Sequence, residues 1–331
     1  MIKMRDVAKQ ADVSTATVSR VLRTPASVKE ETRLKVLKVI EELNYQPNIL
    51  ARQLRTNKTN TVLIVIPTLT NTVFAEMLGG IESVATQNDY RVLLGNSNHQ
   101  KERNIGYLDY LKQKQVDGVI FLTSELGEAV LNEIAAEHPM VLTSEYIHGA
   151  QFPMVSIDNV ICGRKATEHL IELGHSRIAH LSGPGLLSLD RLNGYKDALL
   201  IHGIPFDETL VVEGHFTFES GYQIMKKWLN SQNPPTAVFA ANDEMAIGAM
   251  KAALESGKRI PKDIAIVGFD NIKFSSVFEP SLTTIAQPFF EMGVKSMNLL
   301  IQQINQGPIL DKHFVLESEL VIRQSCGSSH N

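Results

Sequence analysis

The sequence predicts a small all-α helix-turn-helix headpiece followed by an α/β core of two doubly wound parallel-sheet lobes. Three observations predict it. The first 45 residues carry helical spacing and no strand run. From Thr61 onward, β-branched runs alternate with helical patterns over roughly 250 residues, the mark of parallel sheets with helices on both faces. The charge divides at the same place. Residues 1–60 hold 12 Lys+Arg against 6 Asp+Glu, a balance of +6, and the rest carries −10, giving the net −4.

The headpiece reads as three short helices. Met4–Ala11 places Val7, Ala8 and Ala11 on one face. "DVS" is a tight connection, and Thr15–Leu22 follows with Val13, Val18, Val21 and Leu22 at helical spacing. Pro25 in "RTPAS" breaks the pattern. Lys29–Asn44 is the longest, with Leu34, Leu37, Val39, Ile40 and Leu43 at helical intervals. "QPN" at 46–48 then punctuates, and the amphipathic "ILARQLRT" and polar "NKTNT" lead to the core.

The core opens on "TVLIVIP", a continuous β-branched run ending in Pro, as a strand buried on both faces requires. Strand runs "YRVLLGN", "VDGVIFLT", "PMVLTS", "FPMVSIDN", "RIAHLSGP", "LVVEGHF", "AVFAAND", "IAIVGFDN" and "LTTIAQP" follow, most separated by helical patterns. A helix at Phe289–Gln306 and the run "FVLESELVIR" close the core, and 326–331 reads as a disordered tail.

Composition narrows the function. No apolar run reaches the roughly 18 residues of a membrane span, and "MIKMRDVAKQ" lacks the apolar stretch of a signal peptide. The two cysteines, Cys162 and Cys326, do not make a disulfide framework, so a cytoplasmic protein without membrane contact is expected. Neither G-x-S-x-G, H-E-x-x-H nor a phosphate-binding Walker loop occurs. "GPGLLS" at 183–188 is too short a signal for a phosphate cradle. His175 and His180 lack Cys or acidic partners at ligand spacing, so no metal site, no other cofactor and no catalytic residue is expected.

The stretch "STATVSR" is unusual for a helix because Ser and Thr compete with the backbone for hydrogen bonds. A recognition helix has use for such residues. Small side chains let it approach base edges, hydroxyls bond phosphates, and one Arg reaches a guanine edge. On charge alone a solvated basic arm is an equal reading. The short helix pair and tight turn favour DNA.

In parallel α/β sheets, ligands bind outside the carboxyl ends of the strands. Residues just after strand runs are therefore candidates: Asp158, Arg191, Phe216, Asn242, Asp243, Asp270 and Asn271. Acidic and amide groups suit sugar hydroxyls, and an aromatic face suits a base or a sugar's apolar side. The competing reading for each Asp or Asn is a helix N-cap. A buried Arg191–Asp270 pair would need a reason, which favours these two.

"MRDVAKQADVSTATVSRVL", "VKEETRLKVLKVIEELNYQPNILARQLRT", "FAANDEMAIGAM" and "VGFDNIKFSSVFEPSLTTIAQP" resemble the headpiece, hinge and effector core of the LacI/GalR family of repressors. "NSNHQ", "PMVLTSEY", "FTFESG" and "LTTIAQP" resemble its cytidine-repressor branch. The resemblance implies a homodimer that binds operator DNA and responds to a small-molecule effector, a nucleoside first and a sugar second.

It places Thr15, Ala16 and Arg20 at base-reading positions, and Ser14, Thr17 and Ser19 at phosphate or helix-interface positions. It makes "PNILARQL" a hinge helix in the minor groove, with Leu54 as the wedge and Ala51 facing its partner. Read without it, Leu54 is a linker leucine. It marks Val73, Phe74, Asp158, Arg191, Phe216, Asn242 and Asp270 as effector positions.

One departure is Lys3, where the family often has a Thr cap. Losing a cap costs about 1 kcal/mol, so a frayed first turn is expected.

The resulting organisation is a headpiece at 1–46, a hinge and linker at 47–60 and a core at 61–325. Within the core the N-lobe takes 61–160 and 289–320, and the C-lobe 161–288 and 321–325. The chain crosses near Asp158–Gly163, Gln287–Phe289 and Leu320. The alternative is a solute-binding protein of periplasmic type, which shares the two-lobed core. A sugar-processing enzyme is disfavoured by the missing catalytic groups.

Overall fold

The computed structural model describes residues 2–45 and 58–328, in two compact units divided between Thr59 and Asn60. Ala51, Leu54 and the rest of the expected hinge helix lie outside the described residues.

The first unit is three helices, α1 (Met4–Gln10), α2 (Thr15–Arg23) and α3 (Glu30–Glu42). They close over a small aliphatic core of Val7, Val18, Val21, Val36 and Val39, with Tyr45 at its edge. The α1–α2 turn works because Asp12 adopts a left-handed φ of 50°, which an Asp tolerates. That lets Val13 N–H return to the Ala8 carbonyl at 3.0 Å. The frayed first turn expected from Lys3 is not found. The first turn is helical, and the Asp6 carboxylate at the third helical position accepts from the Lys3 backbone N–H at 2.8 Å, the one half of a capping box that does not need a cap hydroxyl.

The second unit holds two six-stranded sheets. Its elements run β1 (Thr61–Ile66), α4 (Thr72–Gln87), β2 (Arg91–Asn96), α5 (Lys101–Lys112), β3 (Gly118–Phe121), α6 (Glu128–Glu137), β4 (Met140–Thr143) and β5 (Met154–Ile157). After these come α7 (Asn159–Glu172), β6 (Ile178–Ser182), α8 (Leu186–Ile201), β7 (Val211–Glu213), α9 (Phe218–Leu229), β8 (Ala237–Ala240), α10 (Asp243–Glu255) and β9 (Ala265–Asp270). The chain ends with α11 (Phe274–Val277), β10 (Thr283–Ala286), α12 (Phe289–Gln306), β11 (His313–Leu316) and β12 (Glu319–Val321).

One sheet has the order β11-β5-β4-β3-β1-β2 and the other β12-β10-β9-β8-β6-β7. All pairings are parallel except β10–β12. Each sheet reverses its winding beside its first strand, at β1/β3 and at β6/β8, and such switch points open a crevice at the strand carboxyl ends.

The chain passes between sheets after β5, after β10 and after β11. The third passage lies at Glu317–Ser318, ahead of the expected Leu320, because Glu319–Val321 already pairs antiparallel with β10. Cys326, where a tail is expected to begin, belongs to the ordered core. Gln324–Cys326 forms a 3-10 turn with Ser325 and Cys326 buried, and the Ser325 hydroxyl donates to the Ile266 carbonyl at 2.6 Å. Residues 329–331 lie outside the described residues.

Candidate functional site

In the headpiece, α2 divides by face. Val18 and Val21 are buried and Val13 and Leu22 partly so, fixing the helix to α1 and α3. Thr15, Ala16 and Arg20 are exposed. Residues 16 and 20 are one turn apart on the same helix face, and Thr15 opens the helix about 100° round from Ala16. Arg20 makes no ion pair among the described residues.

Ser14, expected at a phosphate or helix-interface position, is exposed. It is the N-cap of α2, its Oγ accepting from Thr17 N–H at 3.1 Å and lying 2.9 Å from Thr17 Oγ1. Thr17 and Ser19 are half-buried at the rim of the exposed face.

In the two-lobed unit, the candidates lie at the strand ends of the crevice. Arg191 is 5% exposed on α8. Its Nε donates to Asn159 Oδ1 at 2.9 Å, its Nη1 donates to the Ala241 carbonyl, and the guanidinium lies 3.7 Å over the Phe269 ring. Burial lowers its pKa, opposed chiefly by Asp270.

Asp270 ends β9 and accepts from Gln287 Nε2 at 2.7 Å. Dense surroundings desolvate its carboxyl and push it up to about 7 despite Arg191. Arg191 and Asp270 interact through their charges without a direct ion pair among the described residues. Each group is instead held by neutral partners, which leaves Arg191 Nη2 and Asp270 Oδ2 without a protein hydrogen bond there.

Phe216 has a left-handed φ of 57°, an outlier for a bulky residue. Its carbonyl accepts from Asn242 Nδ2 at 3.2 Å. Its ring lies where a Cβ on Gly183 would be, 2.4 Å from Cζ, so the glycine of "GPG" makes room for an aromatic. From the other lobe, Val73 packs against the same cluster as Phe216, and Phe74 is half-buried beside it on α4.

Two candidates turn out to be helix caps. Asp158 Oδ1 accepts from Ile161 N–H at 2.9 Å to cap α7. Asn242 Oδ1 accepts from Met245 N–H at 3.0 Å to cap α10, and with its amide on Phe216 both its polar ends are engaged. Asp243 is a buried hub. It accepts from Ile272 N–H, Ser275 Oγ and Thr284 Oγ1 at 2.9, 2.6 and 2.6 Å, and desolvation still raises it to about 6.

Sequence reasoning missed Tyr146. It follows β4 of one lobe, and its hydroxyl donates to Asp190 Oδ2 on α8 of the other at 2.6 Å. Burial first, then Asp190, raises the phenol to about 12. His313 stacks on it with centroids 5.6 Å apart. The only local hint was Asp190 preceding Arg191.

Residues 3–48 match the model of bacterial regulatory proteins of the lacI family, and 167–326 match a periplasmic binding protein-like domain. The chain is 39% identical over 325 residues, 97% of its length and 95% of the relative's, to the HTH-type transcriptional repressor CytR of Escherichia coli K12. It is 37% identical to catabolite control protein A of Priestia megaterium, over 98% and 99% of the two chains. It superposes on the lac repressor dimer bound to operator and the anti-inducer ONPF with a TM-score of 0.87 at 32% identity, covering 98% and 99%. This chain belongs to the LacI family of bacterial transcriptional regulators.

Proposed function

We propose that this protein is a sequence-specific transcriptional repressor whose operator binding is set by a small neutral molecule in the interlobe crevice. The observation that carries it is the union in one chain of exposed Thr15, Ala16 and Arg20 on α2 and a crevice flanked by the buried Arg191 guanidinium and the Asp270 carboxyl, each held by neutral partners. Thr15, Ala16 and Arg20 read bases. Thr17 and Ser19 fix the position of the helix, and Ser14 acts by capping it. Ala51 and Leu54 serve as hinge residues on the strength of the sequence resemblance.

Arg191, Asp270, Phe216, Val73 and Phe74 form the effector set, with Asp158 and Asn242 supporting it as caps. Relatives support the ligand class, since similar solved structures include a transcriptional regulator CelR–cellobiose complex and a LacI family regulator of Enterococcus faecium with bound ribose. The CytR likeness favours a nucleoside. The mechanism is linkage: an effector shifts the lobe equilibrium only by its difference in affinity for the two arrangements.

The active form is a homodimer. Two exposed apolar surfaces support it: Leu93 and Leu94 on edge strand β2, and a groove of about 520 Å³ lined by Phe218, Tyr222, Ile247, Leu254 and Phe278. A DNA-binding regulator works in the cytoplasm, and no described helix is long and apolar enough to cross a membrane. The solute-binding alternative leaves the helix-turn-helix match at 3–48 without a role.

The test is fluorescence anisotropy of the full chain on its own upstream DNA at fixed salt, with and without nucleosides and pentoses. Specific binding that a ligand changes supports the reading. Equal binding to random DNA under every condition rejects it.

A further inference from the structure

Two of the three passages between the lobes deliver a side chain directly to an effector residue, and the third leads through β12 to a side chain that grips the residue beside Asp270. The first ends at Asn159, whose Oδ1 accepts from Arg191 Nε at 2.9 Å. The second carries Gln287, whose Nε2 donates to Asp270 Oδ1 at 2.7 Å. The third leads through β12 to Arg323. Its Nη2 donates to Asn271 Oδ1 at 2.6 Å and its Nη1 to the Leu282 carbonyl at 2.7 Å.

The segment they hold is strained. Asp270 and Asn271 are consecutive non-glycine residues with φ of 115° and 59°. Such conformations persist only when their surroundings over-determine them. Arg323 grips Asn271, Asn271 N–H reaches Thr284 Oγ1 at 3.3 Å, and Ile272 N–H is bound to Asp243.

The passages are also where the backbone must turn if one lobe rotates on the other, since hinges concentrate dihedral change in a few connecting residues. A side chain bonded from a hinge to a ligand-facing group ties the rotation to the occupancy of that group.

We infer that Asn159, Gln287 and Arg323 are positioning residues, each tying one effector-site segment to one hinge, so that the crevice is coupled to all three passages. This rests on Arg191 and Asp270 being effector contacts. None of the three need touch the effector. Asn159 is buried, and its Oδ1 has Arg191 as its hydrogen-bond partner. Arg323 reaches the site only through Asn271.

The test needs no ligand. Asp270→Asn in the full-length chain removes the carboxylate charge, and hydrogen exchange is followed by mass spectrometry at about pH 8.5, where the carboxyl is ionised. The change should alter exchange about threefold to tenfold at the Gln287 and Phe289 amides and across 319–323, outside its own loop. In an Arg323→Met background the response at 319–323 should vanish while that at Gln287 and Phe289 stays. Arg323→Lys, which keeps a donor, should keep part of it.

A response confined to 268–272 overturns the inference, as does an undiminished response at 319–323 without Arg323. If Arg323→Met does not fold, Gln287→Leu runs the same cycle with the passages exchanged. Calorimetry of the full-length chain with cytidine and with D-ribose is the separate arm. Failure of both probes strikes the effector assignment and leaves the ligand-free cycle to decide the coupling.

Discussion

Gly163→Ala tests how finely Arg191 is placed. Helices α7 and α8 approach so closely that a Cβ at 163 would lie 2.4 Å from the Arg191 carbonyl oxygen and 2.9 Å from its Cα. Ordinary contact begins at 3.4 Å, so the backbones must separate by about 1 Å. Backbone atoms cannot rotate aside, so the adjustment moves a whole helix. Overpacking of this kind costs about 1–3 kcal/mol. The same movement stretches the Arg191–Asn159 bond, which joins these two helices, from 2.9 Å toward the limit of hydrogen bonding. A hydrogen bond to a charged group contributes about 1.5–3 kcal/mol, so effector affinity should fall roughly tenfold to a hundredfold. Urea unfolding of the full chain, followed by its single tryptophan, Trp228, buried in α9, gives the first quantity. Calorimetry with the effector gives the second. A variant within about 0.5 kcal/mol of the parent that binds effector equally well would refute the reasoning, because the two helices would then be free to adjust.

Four further outcomes are expected. Arg20→Ala should weaken operator binding by about 1–3 kcal/mol and leave random DNA little affected; equal loss on both in anisotropy would make Arg20 a phosphate contact. Ser14→Ala should cost the headpiece about 1 kcal/mol by circular dichroism without changing sequence preference; an altered preference would return Ser14 to the DNA surface. Tyr146→Phe removes the interlobe hydrogen bond and should favour the separated arrangement by about tenfold, enlarging the ligand-free chain in small-angle scattering; an unchanged curve counts against a latch. For pH, Asp270 titrates at about 7 in the folded chain against an ordinary value of 3.8. Between these values the folded state binds more protons than the unfolded, so this group's contribution to stability falls as pH rises. His180, lowered to about 3 by burial, acts oppositely below pH 6.5. Asp270→Asn should therefore raise Tm relative to the parent at pH 8 and lose that advantage toward pH 4, and a pH-independent difference would show that Asp270 is not desolvated.

The parts legible in the sequence were those with local causes. Parallel strands buried on both faces leave continuous apolar runs such as "TVLIVIP", and the alternating helices follow from the topology. The division of α2 into a buried Val18–Val21 face and a polar face is a matter of spacing alone. Capping was only half legible. Ser14, Asp158 and Asn242 each stand before a helix, and the residue type does not reveal whether the side chain turns back to its own N–H groups or outward. Contacts such as Tyr146–Asp190, Asn159–Arg191 and Arg323–Asn271 join residues 32 to 52 positions apart and leave no local trace. The boundary at β12 was misplaced for the same reason, since antiparallel pairing with β10 is decided by tertiary register.

If Arg191 and Asp270 are the effector contacts proposed above, the electrostatics of the crevice narrow the effector class. Arg191 is desolvated and held by an amide oxygen, a carbonyl and an aromatic face, none of which neutralises it. Asp270 lies close enough to feel that charge, and desolvation raises its carboxyl to about 7 against the pull of Arg191. The site thus presents the two Arg191 Nη2 N–H donors and the Asp270 Oδ2 acceptor without a protein hydrogen bond among the described residues. An anionic ligand would satisfy the donors and meet Asp270 with repulsion as that group ionises. A cation would reverse the fault at Arg191. A neutral ligand with adjacent hydroxyls serves both, one hydroxyl accepting from Arg191 and its neighbour donating to Asp270, with no net charge transferred into a desolvated site. Phe216, held in its left-handed conformation against Gly183, adds an aromatic face for the remainder of such a molecule. A diol bearing a flat or apolar body fits these terms, and both a pentose and a nucleoside meet them. The base of a nucleoside is the part that would occupy Phe216. Phe216→Ala should therefore reduce affinity for a nucleoside by about tenfold or more and affect a free pentose less, on the usual scale of aromatic stacking. Equal losses for the two in calorimetry would remove the base from that position.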